Sequence, residues 1–334
     1  TWYTPLAGKI AKHRQDAGRT LLVGINGSQG SGKSTLASLL ALLLSENFGL
    51  RALALSIDDF YLSRAARLSL AEQVHPLLQT RGVPGTHDVA LMRDTLQQLA
   101  GEGGTVRIPR FNKARDDRYP KGECDSVSLP CDIVLFEGWC LGTPAQANEA
   151  LLQPVNDLEA NDDPDGSWRR YVNEQIGAGY QQVYRLLDLW IMLQAPSFAS
   201  VYRWRLEQET KLADSLAEGD SSGARGRLMS GAQVGYFIQH YQRLTEHSLR
   251  ELPGRVHYLF KLDEGRDIIG YREPCSLLPG GDYRLAGAAG ESILPACSVQ
   301  AVVPDGASSC MMCLKAACKL ASAAAVSGRP RPNS

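Results

Sequence analysis

Thr20-Leu21-Leu22-Val23-Gly24-Ile25-Asn26-Gly27-Ser28-Gln29-Gly30-Ser31-Gly32-Lys33-Ser34-Thr35 is the stretch on which the reading of the fold turns. Its first six residues form a compact apolar run, as expected of a strand covered on both faces. Residues 33–45 continue in a helical pattern. Between the two, Gly27 to Ser34 satisfies G-x-x-x-x-G-K-[ST] at the strand-to-helix turn, the context the motif requires. Its glycines let backbone N–H groups turn inward around phosphate oxygens, and the helix N-terminus adds its positive dipole end. Lys33 is placed to reach the β- and γ-phosphates, and the Ser34 hydroxyl to ligate Mg²⁺. The segment points to a bound nucleoside triphosphate.

Outward from this turn, apolar runs alternate with helical patterns, the signature of βαβ units and a parallel sheet. Strands are predicted at 20–25, 52–57, 132–136, 187–193 and 256–262. Helices are predicted at 33–45, 89–99, 168–186, 198–212 and 232–250. Residues 101–130, broken by Pro109 and Pro120, read as a basic loop. After position 274 the pattern fails. Ala, Gly, Pro and Ser supply 31 of the last 60 residues and only eight are charged, too little apolar surface to offset chain entropy. The division is therefore a domain over 1–274, with a helical insertion at about 145–186, and a poorly ordered low-complexity tail over 275–334.

Composition excludes several function classes. With 44% apolar and 21% charged residues the 334-residue chain is neither disordered nor fibrous. Its 35 basic and 36 acidic residues leave a net charge of −1, so no global field gathers nucleic acid or an anionic membrane. The longest apolar run, at 36–44, is half of what a spanning helix needs. Lys9, Lys12, Arg14, Asp16 and Arg19 break any signal-peptide core. The expectation is a cytoplasmic protein. Five of the eight cysteines lie in the tail, where Cys310-Met-Met-Cys313 has neither a second CxxC nor a histidine pair, so it does not read as a metal site.

Two carboxylates sit at predicted strand ends, on the edge where open α/β folds bind ligands. Ser56-Ile57-Asp58-Asp59-Phe60-Tyr61 closes the second strand. Asp58 there either takes a proton from an acceptor hydroxyl or holds Mg²⁺, with a turn-capping role as the plain alternative, stronger for Asp59. Glu137 in Phe136-Glu137-Gly138-Trp139 ends an apolar strand as a Walker-B acid does, holding Mg²⁺ or orienting the nucleophile. A GTPase would need N-K-x-D, and Asn112-Lys113-Ala114-Arg115 has Arg in place of Asp. Small-molecule kinases remain.

Together these segments resemble the uridine kinase, phosphoribulokinase and pantothenate kinase superfamily. Within it, Arg81-Gly82-Val83-Pro84-Gly85-Thr86-His87-Asp88, Pro109-Arg110-Phe111-Asn112-Lys113-Ala114 and Leu135-Phe136-Glu137-Gly138-Trp139-Cys140-Leu141-Gly142 are similar to the D-glycerate 3-kinase family. The resemblance implies a P-loop kinase fold: a parallel five-stranded sheet flanked by helices, with a lid. It implies ATP phosphates held by Gly27, Ser28, Gln29, Gly30, Ser31, Gly32, Lys33, Ser34 and Thr35, with Asp58 as base. Glu137 would lie near the metal, and His87, Arg110 and Lys113 near a small carboxylate acceptor. Arg, backed by Lys or His, suits such an acceptor, and Arg107, Arg110, Lys113, Arg115, Arg118 and Lys121 all fall in one loop. Arg203 and Arg205 open a helix where the superfamily keeps its lid; they either cover the γ-phosphate or are exposed arginines of an amphipathic helix. The expected reaction is Mg·ATP-dependent phosphorylation of D-glycerate. The alternatives are a nucleoside or pantothenate-like acceptor, or a nucleotide-switched regulatory protein.

Overall fold

A computed structural model describes residues 2–218 and 229–273 of the chain, with side chains omitted at 212–218. The tail over 275–334, with its five cysteines, lies outside the described residues.

Helix α1 (Tyr3–Ala17) ends at Gly18, whose positive φ of 65° closes the helix without strain, and leads into β1 (Leu21–Gly27), buried at every residue. The phosphate loop follows, then α2 (Lys33–Phe48), which buries Leu36, Ala37, Leu40 and Leu44 on one stripe. After β2 (Ala52–Ser56) a single 3₁₀ turn carries Ile57–Phe60. Helix α3 (Arg64–Gln73) is capped by the Ser63 hydroxyl, and α4 (Val89–Leu99) by the Asp88 carboxylate, which accepts from the Leu91 N–H at 3.0 Å.

The basic loop is more ordered than its sequence suggests. It holds β3 (Thr105–Arg107), β4 (Phe111–Asn112), β5 (Asp117–Arg118) and β6 (Ser126–Ser128), with β3 antiparallel to β6 and β4 antiparallel to β5. Strand β7 (Ile133–Gly138) returns to the main sheet, buried throughout.

Within the segment over 145–186, the helix expected over 168–186 runs without a break from Ser167 to Tyr184, but with a π-helical turn inside it. After α5 (Asp157–Asp162) come α6 (Ser167–Gln175), a π-helical turn at Ile176–Tyr180 and α7 (Gln181–Tyr184). The wider turn sets Tyr180 out of register with α6, a local irregularity that apolar periodicity does not reveal.

Strand β8 (Leu189–Gln194), α8 (Phe198–Glu218), α9 (Gly231–Glu251), β9 (Tyr258–Leu262) and β10 (Ile268–Arg272) complete the described chain. A capping box starts α9: the Ser230 hydroxyl accepts from the Gln233 N–H, and the Gln233 side chain accepts from the Ser230 N–H. Arg243 of α9 reaches the fully buried Glu159 of α5 at 2.7 and 2.6 Å, and also donates to the Ala150 and Gln153 carbonyls.

The strand order is β10-β9-β8-β1-β7-β2, with all five expected strands parallel. The sixth, β10, runs antiparallel to β9 at the edge, a short half-exposed strand without the apolar run of the others. Consecutive parallel strands β1 and β2 lie to one side of a point from which β8 lies to the other. The crevice at β1 is thus a topological switch point, where such sheets bind ligands. The register puts Glu137 beside both Ile25 and Ser56. The phosphate loop, Glu137 and Asp58 therefore leave the sheet at one level. Among the described residues no helix is long and apolar enough to cross a membrane.

Candidate active site

Strand β1 delivers the chain to the phosphate loop in extended form, and the loop then turns through left-handed backbone at Gly30 (φ 79°) and Gly32 (φ 89°). The hydroxyls of Ser28 and Ser31 and the Gln29 side-chain oxygen are buried with no hydrogen-bond partner within the protein. Unpaired buried polar groups carry a free-energy penalty unless a ligand or water meets them, and here several line one loop at the N-terminus of α2.

Lys33, Ser34 and Thr35 open that helix. The Ser34 hydroxyl donates to Glu137 Oε1 at 2.7 Å, and Lys33 Nζ stands 3.9 Å from Glu137 Oε2. Glu137 is 5% exposed and its Oε2 has no hydrogen-bond donor. The pair Ser34–Glu137 has the chemistry for Mg²⁺: a hydroxyl and a spare carboxylate oxygen beside a phosphate cradle, since Mg²⁺ takes few protein ligands and keeps phosphate oxygens and waters. Among the described residues no cluster of three His, Cys, Asp or Glu side chains forms an all-protein metal cage.

Asp58 lies on the 3₁₀ turn after β2. Lys113 Nζ donates to its Oδ2 at 2.6 Å and the Tyr61 hydroxyl to its Oδ1 at 2.8 Å. Burial alone would raise its pKa. The ion pair and hydrogen bond with Lys113, the charge of Lys33 and the Tyr61 hydroxyl outweigh burial and bring it to about 2. Its neighbour Asp59 goes the other way: burial raises it against the pull of Arg110, which donates to Asp59 Oδ2 at 2.8 Å. Asp59 also accepts from the Phe111 N–H at 3.4 Å. Asp59 thus ties the basic loop to the sheet edge, while Asp58 stays ionised beside the loop's lysine.

His87 is buried, with its ring stacked on Tyr61 at 4.6 Å between centroids. Its Nδ1 lies 2.6 Å from the Tyr180 hydroxyl, which accepts from the Gly85 N–H at 3.1 Å. Burial lowers the His87 pKa to about 4, with the Asp58 charge opposing. Near neutral pH the imidazole is uncharged and supports Tyr61, and through it Asp58.

Arg118 bridges the Tyr61 carbonyl at 2.6 Å and Asp88 at 3.1 Å. It belongs to the wall of the site. Arg203 pairs with Glu264 at 2.8 Å and is half exposed; Arg205 pairs with Glu209 and covers the Phe237 ring. Neither contacts the phosphate loop. The residue of α8 that does is Trp204: a Cβ on Gly30 would stand 2.6 Å from Trp204 Cβ.

Several site residues had no separate sequence signal. Tyr61, Trp139 and Arg81 lie inside the quoted motifs without a chemical pattern of their own. Arg67, 2% exposed, donates to the Leu62, Gln79 and Asp116 carbonyls and so braces the loop from below. Tyr241 of α9 donates to the Arg81 carbonyl at 3.2 Å and meets Trp139 edge-on at 5.0 Å. Tyr180 and Arg266 come from segments whose turns only the fold reveals. His240 and His247 are buried on α9. Trp168 packs in the core.

No family model matches the chain. It is 32% identical over 257 residues to an uncharacterised kinase, mug58, of Schizosaccharomyces pombe, covering 74% of this chain and 88% of that protein. It is 30% identical over 230 residues to the chloroplastic D-glycerate 3-kinase of Arabidopsis thaliana, covering 66% of this chain and 46% of that longer protein. The solved structure of the YGR205w protein matches with a TM-score of 0.64 and 27% identity, over 81% of this chain and 96% of that one.

Proposed function

We propose, since this chain belongs to the D-glycerate 3-kinase family of P-loop kinases, that it transfers the γ-phosphoryl group of ATP to the 3-hydroxyl of D-glycerate. The observation that carries the acceptor reading is the fold of the basic loop over the end of β2. Lys113 touches Asp58, and Arg110 touches Asp59, so a small carboxylate acceptor brought to Asp58 would meet cations on that side. The 30% identity to a D-glycerate 3-kinase supports the same choice.

The chemistry follows from the placement of charges. Backbone N–H groups of residues 27–35 and the Lys33 ammonium hold the triphosphate. The acceptor oxygen attacks the γ-phosphorus as the bond to the β,γ-bridging oxygen breaks, and ADP leaves with that electron pair. Asp58 takes the hydroxyl proton. With its pKa near 2 it is a weak base, which suits a loose transition state in which the proton moves late. Lys113 then faces a carboxylic acid instead of a carboxylate, and its charge is free for the product phosphate. Mg²⁺ held by Ser34 and, through water, Glu137 would neutralise charge on the β- and γ-oxygens. His87, Arg110 and Lys113 are assigned to the acceptor side; Arg203 and Arg205 would reach the phosphates only if α8 moved.

The test is ADP release with a panel of acceptors: D-glycerate, L-glycerate, pantothenate, uridine and none. D-glycerate should raise the rate well above all others. A preference for another acceptor would replace glycerate while keeping the kinase. A slow rate indifferent to every acceptor would favour a nucleotide switch.

A further inference from the structure

The geometry points to Arg266, on the turn between β9 and β10, as the residue that positions the phosphate loop by holding the Gly30 carbonyl. Its Nε donates to that carbonyl at 2.9 Å, its Nη2 pairs with Glu207 of α8 at 2.7 Å, and its guanidinium lies over the Trp204 ring at 5.2 Å. The Trp204 indole N–H in turn donates to the Glu264 carbonyl at 2.7 Å, on the same turn. One side chain thus joins three elements: the apex of the phosphate loop, helix α8 and the β9–β10 turn.

Two features make this more than surface packing. In a trans peptide the carbonyl of one residue and the N–H of the next point to opposite sides. Anchoring the Gly30 oxygen on Arg266 therefore aims the Ser31 N–H into the loop, where it meets the Ser28 carbonyl at a long 3.2 Å, a bond weak enough to be exchanged for a phosphate oxygen. Second, Arg266 has φ of 74°, a left-handed conformation that glycine adopts freely and an L side chain resists. A turn shaped for glycine keeps arginine instead, and the one distinctive thing that side chain does is hold Gly30 and α8. The same contact explains the close approach at Gly30, where any Cβ would strike Trp204. Arg266 is thus a positioning residue for the nucleotide. The inference rests on nucleotide binding by the loop and not on which acceptor is used.

The experiment measures ADP affinity by titration calorimetry, alongside thermal unfolding, in Arg266→Ala, Arg266→Gly and Arg266→Lys. Losing a hydrogen bond from a charged donor should weaken ADP binding by about tenfold in the Ala and Gly variants. Arg266→Lys, which keeps a charged donor, should recover part of the loss. Arg266→Gly should melt above Arg266→Ala, because it relieves the backbone, yet bind ADP no better. Two results would overturn the assignment: ADP affinity within about twofold of wild type in both truncations, well under the loss expected for one such bond, or recovery of affinity together with melting temperature in Arg266→Gly. The second would mean that the fold of the turn, and not the side chain, sets the loop.

Discussion

Asp58→Asn removes one charge and leaves the shape, so its effects separate cleanly. The amide oxygen still accepts from Tyr61, but Lys113, 2.6 Å from Oδ2 in the wild type, loses its counter-ion, and no group at this position can take the acceptor's proton. The proton-accepting role predicts a fall in kcat of about 10² to 10⁴, with ADP affinity nearly unchanged because the phosphate loop follows β1, separated by β7 from the β2 end that carries Asp58.

Stability gives an independent reading. The Asp58 carboxyl titrates at about 2 instead of 3.8, which by linkage corresponds to about 2 kcal/mol of stability as an upper value. For a depressed acid that stability is fully present above pH 3.8 and is lost as pH falls through about 2. Asp58→Asn should therefore unfold at lower urea than the wild type at pH 7, and the gap should close below pH 3. The assays are steady-state ADP release, calorimetric ADP binding and urea unfolding at two pH values. Normal turnover with lowered stability would refute the proton-transfer role and leave Asp58 as a structural partner of Lys113.

Lys33→Ala should cut turnover by more than tenfold, at least about 1.4 kcal/mol of lost transition-state stabilisation; ADP release with saturating ATP checks it. Arg243→Ala strips the buried Glu159 side chain of its ion-pair partner between α5 and α9, and should lower unfolding free energy by about 3–5 kcal/mol in urea titration. His257, whose Nδ1 accepts from the Trp190 N–H at 3.1 Å, titrates at about 4, chiefly through burial. Between pH 6.5 and about 4 the unfolded chain gains a proton that the folded chain refuses, so stability should fall as pH drops through that window. In His257→Asn, which keeps an acceptor for Trp190, the fall should be shallower by up to about 3 kcal/mol.

Much of the scaffold was readable because its chemistry is local. The phosphate loop needs glycines, lysine and serine at fixed spacing, and the five parallel strands are short, mostly apolar runs, buried throughout in β1 and β7 and half-buried in the edge strand β2. What escaped the sequence depends on contacts far apart in the chain. Strand β10 has no apolar run and is defined by its pairing with β9. Helix α3 has polar residues at half its positions, and only Arg67 is buried on it. The π-helical turn at Tyr180 is one extra residue in an otherwise regular period. At the site, Asp58, Glu137 and Lys113 were legible as charged residues at strand ends or in a basic loop. Arg266 was not, because an arginine in a polar turn carries no pattern until the turn is seen to lie on Gly30, 236 positions away.

The proposed transfer of phosphate from ATP to one hydroxyl of glycerate can be followed by ³¹P NMR of the reaction mixture. Incubating the protein with D-glycerate, ATP and Mg²⁺ should consume the γ-phosphate resonance and produce, mole for mole with ADP, the phosphomonoester signal of 3-phosphoglycerate. ADP accompanied only by inorganic phosphate, or no reaction with D-glycerate while another hydroxylated acceptor is phosphorylated, would rule out glycerate as the acceptor.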